Sequence, residues 1–153
     1  MPSSTSESEP LRQPQPLPLT GLRILAIEQM QAMPFGTQLL ARMGADVVKV
    51  ESPKGGESGR SGLPNIRDVD GSTPGATFLR NNLSKRSIGI DLKHPRGAEL
   101  VRRLVPHYDV VVENFKPGTM ERLGIGYEAL AKRHPKLIYV SASGFGSLRE
   151  TPY

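Results

Sequence analysis

The amino-acid sequence predicts an α/β domain with a Rossmann-like, mostly parallel sheet and flanking helices. Five short apolar segments with strand character alternate with helix-like segments, which is the pattern of a doubly wound parallel sheet. The first strand, helix and second strand also fit within about thirty residues, the length of a βαβ unit. The chain has 153 residues, which corresponds to one domain with a modest core.

The βαβ unit opens the predicted fold. We predict strands at residues 22–27 and 45–50, with a helix at residues 34–43 between them. Pro34 is suited to the first turn of that helix, and Gly44 is suited to its C-terminal stop. Residues 52–75 follow as a long loop with six Gly and three Pro. A loop of this length in a compact domain is usually functional or disordered.

The remaining elements continue the alternation. Residues 95–105 are the clearest helix, because their apolar side chains fall on one face at helical spacing. The other predicted elements are helices at residues 76–83 and 128–133, and strands at residues 87–92, 109–112 and 136–142.

Composition excludes several classes of protein. The chain has no Cys and only three, widely separated His, so we expect no disulfide and no metal site. The net charge of +5 suits nucleic acid, anionic lipid or a phosphorylated small molecule, but no nucleic-acid-binding motif is present. No apolar stretch reaches the ~20 residues of a membrane span. We therefore expect a cytoplasmic protein that binds neither nucleic acid nor membrane.

The N-terminal segment differs from the rest. Residues 1–18 contain five Pro and four Ser and almost nothing apolar, so they cannot bury enough surface to fold. They also lack the apolar core of a secretory signal. We predict a disordered tail at residues 1–18, with order beginning near Leu19.

Polar side chains gather where the predicted strands end. The segments in question are residues 28–31, 51–54, 91–93, 113–116 and 141–145. Ligands of open α/β sheets bind at the carboxyl ends of the strands, so these segments predict the binding face. The segment 109–122 is the most informative, because a buried strand there ends in Glu113-Asn114-Phe115.

Known sequence motifs limit the kinds of site that this face could form. The glycine fingerprint of a dinucleotide site, the P-loop and the nucleophile elbow are all absent. Four carboxylates could act as acid, base or nucleophile, or could equally cap helices and pair with cations: Glu28, Glu51, Asp91 and Glu113. Seven cations could contact phosphate or simply lie on the solvated surface: Lys54, Arg60, Lys85, Arg86, Lys93, Lys116 and Arg122.

An ordered series of motifs makes the interpretation specific. The motifs are residues 18–25, residues 44–51, the segment from Asn82 to Lys93, Glu113-Asn-Phe-Lys-Pro-Gly118 with Arg122-Leu-Gly124, and residues 135–146. In this order they resemble the N-terminal part of the class III CoA-transferases, the CaiB/BaiF type that includes the formyl-CoA, carnitine and bile-acid CoA-transferases. The α-methylacyl-CoA racemases are relatives of this family. The resemblance covers residues 18–146.

The resemblance implies an activity and a site. Class III enzymes transfer CoA between carboxylic acids, so acyl-CoA and a carboxylic acid are the implied partners, and no metal is needed. Full-length relatives form interlocked homodimers. Residues carried over by position to the CoA-binding site are Gln31, Ala32, Ile90, Asp91, Leu92, Lys93, Asn114, Phe115, Lys116 and Arg122. Some relatives carry an Arg where this chain has Ser52, so Lys54 or Arg60 is the candidate for that phosphate contact.

The family nucleophile is an Asp that attacks the thioester, a case of covalent catalysis by a carboxylate. The resemblance places it beyond Tyr153, and no Asp of this chain matches its position, so we assign no catalytic residue. We interpret residues 19–153 as a truncated, N-terminal CoA-binding part and expect the isolated chain to be inactive. The alternatives are the α-methylacyl-CoA racemase branch and a non-catalytic CoA-binding remnant.

Overall fold

A computed structural model describes residues 15–146. Its five strands form a single parallel sheet in the order β3-β2-β1-β4-β5. This confirms the predicted Rossmann-like α/β fold. The strands are β1 Arg23–Ile27, β2 Asp46–Glu51, β3 Arg86–Gly89, β4 Val110–Glu113 and β5 Ile138–Ser141. The helices are α1 Ala32–Arg42, α2 Ala76–Asn81, α3 Pro95–Leu104, α4 Thr119–Arg122 and α5 Tyr127–Ala131, with 3-10 turns at Ser58–Ser61 and Val105–His107.

The strand order creates a switch point between β1 and β4. The chain runs outward from β1 through β2 to β3, then returns to place β4 on the other side of β1. In the shared register Leu25 lies between Val48 and Val111. Because consecutive connections leave in opposite directions here, a crevice opens at the carboxyl ends of these strands.

The core lies on both faces of the sheet. On one face, side chains such as Leu25 and Val48 pack with Val101 of α3 and with residues of α4 and α5. On the other face, Ile24 and its neighbours pack against Ala41 of α1. Successive residues of a strand point to opposite faces, so a central strand covered on both sides reads as a continuous apolar run.

Several element boundaries differ from the sequence-based prediction, by up to three residues. Helix α1 begins at Ala32, so Pro34 still lies in its first turn. Strand β3 ends at Gly89, although the alternating apolar residues predicted a strand to residue 92. The segment after β3 instead passes so close to helix α3 that a Cβ on Gly97 would overlap the carbonyl oxygen of Asp91. Only glycine leaves room for this contact.

The long loop and the N-terminal segment are only partly irregular. The predicted loop contains the Ser58–Ser61 turn and an isolated bridge between Asn65 and Gly75. The amide of Leu19 donates to the carbonyl oxygen of Met43 at 2.9 Å, which ties the start of the domain to the end of α1. Of the predicted disordered tail, residues 1–14 lie outside the described residues. No helix within residues 15–146 is long and apolar enough to cross a membrane.

Candidate functional site

A cleft of about 580 Å³ opens at the carboxyl ends of the strands beside the switch point. It is lined by the end of β2, by the segments that follow β1 to β4, and by α4 with the residue after it. Its lining consists of Glu28, Gln29, Val50, Glu51, Ser52, Lys54, Gly56, Glu57, Ser58, Ile90, Asp91, Leu92, Lys93, Phe115, Thr119 and Leu123. A volume of this size falls in the usual range for cofactor and substrate sites.

The cleft brings together half of the residues that the sequence singled out for the site. Four consecutive residues from Ile90 to Lys93 line it from the turn after β3, and Phe115 lines it from the turn after β4. The early end of β3 matters here. Had the strand continued to Leu92, alternate side chains of this segment would have pointed to opposite faces.

The other predicted site residues do not line the cleft. Gln31 precedes the first turn of α1, which begins at Ala32, and its side chain forms no capping hydrogen bond. Nη2 of Arg122 donates to Oγ1 of Thr119 at 2.9 Å, and Thr119 does line the cleft. Lys116 lines a separate cavity of about 230 Å³ on the side of β5.

Asn114 binds the protein backbone through both ends of its side-chain amide. Its Oδ1 accepts from the backbone N–H of Gln29 at 2.8 Å, and its Nδ2 donates to the carbonyl oxygen of Gln29 at 2.9 Å. These two bonds join the ends of β1 and β4 across the switch point. The next residue, Met30, has φ of +67°, a conformation that non-glycine residues rarely adopt, so the turn after β1 is held in a definite shape.

Glu51, at the end of β2, is surrounded by hydrogen-bond donors. Nε and Nη2 of Arg60 donate to its carboxylate at 2.6 and 2.8 Å, as do Oγ of Ser87 at 2.6 Å and the backbone N–H of Glu57 at 3.0 Å. Burial alone would raise the pKa of Glu51, but these bonds outweigh it and lower the pKa from 4.5 to about 2. Arg60, a predicted phosphate ligand, is thus engaged with Glu51 and stacks on Phe78 at 3.9 Å.

Glu28 lies directly after β1 and is fully buried. Its carboxylate contacts the ammonium group of a lysine and the hydroxyl group of a threonine. Nζ of Lys85 lies 2.7 Å from its Oε1, and Oγ1 of Thr37 lies 2.8 and 2.9 Å from its two oxygens. The same ammonium group donates to the carbonyl oxygen of Pro34 and to Oδ1 of Asn82, so all three of its protons have acceptors. Burial lowers the pKa of Lys85, and the charge of Glu28 opposes that shift.

Lys49 and Glu57 form a further ion pair, with both side chains buried, which sequence reasoning missed. Nζ of Lys49 lies 2.8 Å from Oε2 of Glu57 and 3.8 Å from Oε1 of Glu28, with the lysine side chain only 1% exposed. The angles do not meet hydrogen-bond geometry, so charge rather than a directed bond holds the pair. The sequence feature that could have indicated this pair is a lysine inside the apolar strand β2, since a buried cation needs a negatively charged partner.

The remaining candidates have local structural partners. Oδ1 of Asp91 accepts from the backbone N–H of Lys93 at 3.0 Å, and Oε2 of Glu113 accepts from that of Phe115 at 2.8 Å. Arg86 forms an exposed ion pair with Asp46. Two lysines of the lining, Lys54 and Lys93, form no ion pair among the residues that the structure describes. They are therefore the cations of the cleft available to a ligand.

A parallel sheet with a cleft at its switch point defines a ligand-binding α/β domain. Comparison with known families identifies it further: the model of CoA-transferase family III matches residues 19–153. The chain belongs to this family.

The chain resembles several characterised proteins. It is 47% identical over 131 residues to a succinate–glutarate CoA-transferase from Agrobacterium fabrum, covering 84% of this chain and 33% of that protein. It is 44% identical over 128 residues to a formyl-CoA:oxalate CoA-transferase from Bradyrhizobium diazoefficiens, covering 84% of this chain and 29% of that protein. The crystal structure of a CaiB/BaiF family protein from Brucella suis is 46% identical, with a TM-score of 0.81 over 88% of this chain and 35% of that one. The chain thus spans about a third of the length of these relatives.

Proposed function

We propose that this chain forms the CoA-binding part of an enzyme that transfers CoA between carboxylic acids. The observation that carries the proposal is the cleft at the switch point, whose wall contains the motif segment from Ile90 to Lys93 together with Phe115. Two relatives named as CoA-transferases share 44–47% of their aligned residues with this chain. These names favour CoA transfer over the α-methylacyl-CoA racemase branch and over a non-catalytic remnant.

The lining of the cleft suits the two chemical parts of CoA. Apolar side chains, among them Ile90, Leu92 and Phe115, offer surface to the adenine and the pantetheine arm. The ammonium groups of Lys54 and Lys93 offer charge to the phosphates, and charge-assisted hydrogen bonds to phosphate are stronger than neutral ones. Mostly apolar walls with a few placed polar groups are typical of cofactor sites.

The remaining carried-over residues surround this cleft in the proposal. Gln31 and Ala32 would sit by the thioester, since the turn after β1 borders the cleft through Gln29. Asn114 would act by holding that turn, because its amide is bonded to the backbone of Gln29. Arg122 would reach the ligand from beside Thr119, and Lys116 from the cavity near β5.

The chemical step itself is assigned to a carboxylate outside this chain. The resemblance places the nucleophilic Asp beyond Tyr153, so residues 1–153 would bind and orient acyl-CoA but would not transfer CoA alone. The complete enzyme would act on an acyl-CoA and a carboxylic acid, without a metal, as an interlocked homodimer. Each of the four carboxylates first considered for catalysis has a structural partner instead.

Titration of CoA into the full-length gene product tests the proposal. We expect Lys93→Ala to weaken CoA binding roughly ten- to hundredfold, because losing one charge-assisted contact costs about 1.5–3 kcal/mol. Lys132→Ala, an equal charge change on an exposed residue outside the cleft, should leave the affinity unchanged. No CoA binding by the wild type, or equal affinities for both variants, would contradict the site.

A further inference from the structure

We propose that Lys49, Arg60 and Lys85 neutralise the carboxylates in the wall of the cleft, and so allow it to accept a polyanion. This inference rests on the proposed CoA binding and adds three residues that determine the charge of the ligand. None of the three cations lines the cleft, so each acts on the ligand through the carboxylate in front of it.

The charge of the lining alone is unfavourable for CoA. Four carboxylates face the cleft against two lysines: Glu28, Glu51, Glu57 and Asp91 against Lys54 and Lys93. CoA carries several negative charges on its phosphates. Like charges repel more strongly near a poorly solvated protein wall than in water. A cleft with this lining and no further cation would therefore select against phosphorylated ligands.

Each of the three most buried carboxylates has a cation beside it. Lys85 lies 2.7 Å from Glu28 and Lys49 lies 2.8 Å from Glu57. Arg60 grips Glu51 through two nitrogens. With these cations included, five positive charges balance four negative ones around the cleft.

These ion pairs also hold the wall of the cleft against the sheet. Glu57 lies in the loop after β2, whereas Lys49 lies within β2 and Lys85 just before β3. A purely mechanical role and a charge-balancing role predict different results. Loss of a mechanical contact weakens every ligand of the cleft, but loss of charge balance weakens only negatively charged ligands.

Lys85→Met in the full-length gene product separates the two roles. Binding is measured for CoA and for pantetheine, which shares the arm but has no phosphate. We expect CoA affinity to fall roughly tenfold and pantetheine affinity to change by less than about threefold. The CoA effect should shrink at high salt, which screens charges. The double variant Lys85→Met/Glu28→Gln should restore CoA affinity, because it removes the uncovered charge.

Arg86→Met is the matched control, since Arg86 pairs with Asp46 outside the lining of the cleft; its CoA affinity should equal that of the wild type. If Lys85→Met fails to fold, Arg60→Met carries the same test, because 39% of the Arg60 side chain is exposed and the site tolerates change more easily. Equal losses for CoA and pantetheine, or no loss for CoA, would overturn the inference. A wild type that binds neither ligand would instead overturn the proposed function.

Discussion

At the scale of single residues, polar side chains at the strand ends mainly shape the protein backbone. Glu28 and Asn114 directly follow buried strands and Glu51 ends one, and each is bound to groups of the protein. Their positions could be predicted, because an apolar run that ends in a polar residue marks the end of a strand. Their partners could not, because Lys85 is 57 residues from Glu28 and Asn114 is 85 residues from Gln29.

Asn114 provides a direct test of this positioning role. Asn114→Asp keeps an oxygen that can accept from the N–H of Gln29, but it places a carboxylate oxygen against the carbonyl oxygen of Gln29. We expect the free energy of unfolding to fall by about 0.5–1.5 kcal/mol, the net contribution of a typical hydrogen bond, because both bonds are exposed to solvent. Urea unfolding of the full-length gene product measures it. Asn65→Asp makes the same change at an exposed residue, and equal midpoints for the two variants would argue against the role.

At the scale of elements, the helices and strands were predicted better than the turns between them. Short apolar runs located all five strands, since each run can be recognised from its own residues. The predicted end of β3 was wrong by three residues: the apolar alternation continues to Leu92, whereas the backbone of Asp91 packs against Gly97 of the following helix. The loop after β2 gave no periodic signal at all, yet it supplies Glu57 to the cleft and to the ion pair with Lys49.

The stability that Glu51 contributes by attaching this loop to β2 should depend on pH. The pKa of Glu51 is about 2 in the folded state and 4.5 as the ordinary value. Its contribution to stability is therefore complete above about pH 4.5 and is lost as the pH falls toward 2. We expect Glu51→Gln to be less stable than the wild type at pH 6 by about 1.5–3 kcal/mol, the range for hydrogen bonds to a charged group, because water can reach the Arg60 side chain, which is 39% exposed. We expect the difference to shrink at pH 2.5.

Thermal unfolding of both proteins at the two pH values checks this expectation. Glu128→Gln serves as the control, because Glu128 is exposed on α5 and lies outside the ion pairs of the described residues. If the stability difference between wild type and Glu51→Gln is the same at pH 6 and at pH 2.5, Glu51 binds protons equally in the folded and unfolded states. That result would contradict the prediction.

At the scale of the whole molecule, the two faces of the sheet are unequally covered. Helices α3, α4 and α5 cover one face, whereas α1 is the helix whose residues pack in the core of the other. Val110 and Val112 of β4 are buried on that second face, but their register partners on β5, Ile138 and Val140, are 58% and 38% exposed. The sheet therefore presents apolar surface at the β5 edge, where an unpaired strand also invites association.

The isolated chain is accordingly expected to associate. An exposed apolar stripe along α1 and its C-cap residue, formed by Phe35, Leu39 and Met43 at helical spacing, adds to the uncovered surface of β5. Large exposed apolar patches mark interaction surfaces or promote aggregation, so light scattering after size exclusion should give a mass above that of one chain. The double variant Ile138→Thr/Val140→Thr keeps strand-forming residues but removes apolar area, and it should shift the population toward monomer. A single monomer peak for the wild-type chain would contradict this prediction. It would mean that the exposed apolar side chains of β5 do not need to be covered by another chain or by a further segment of the protein.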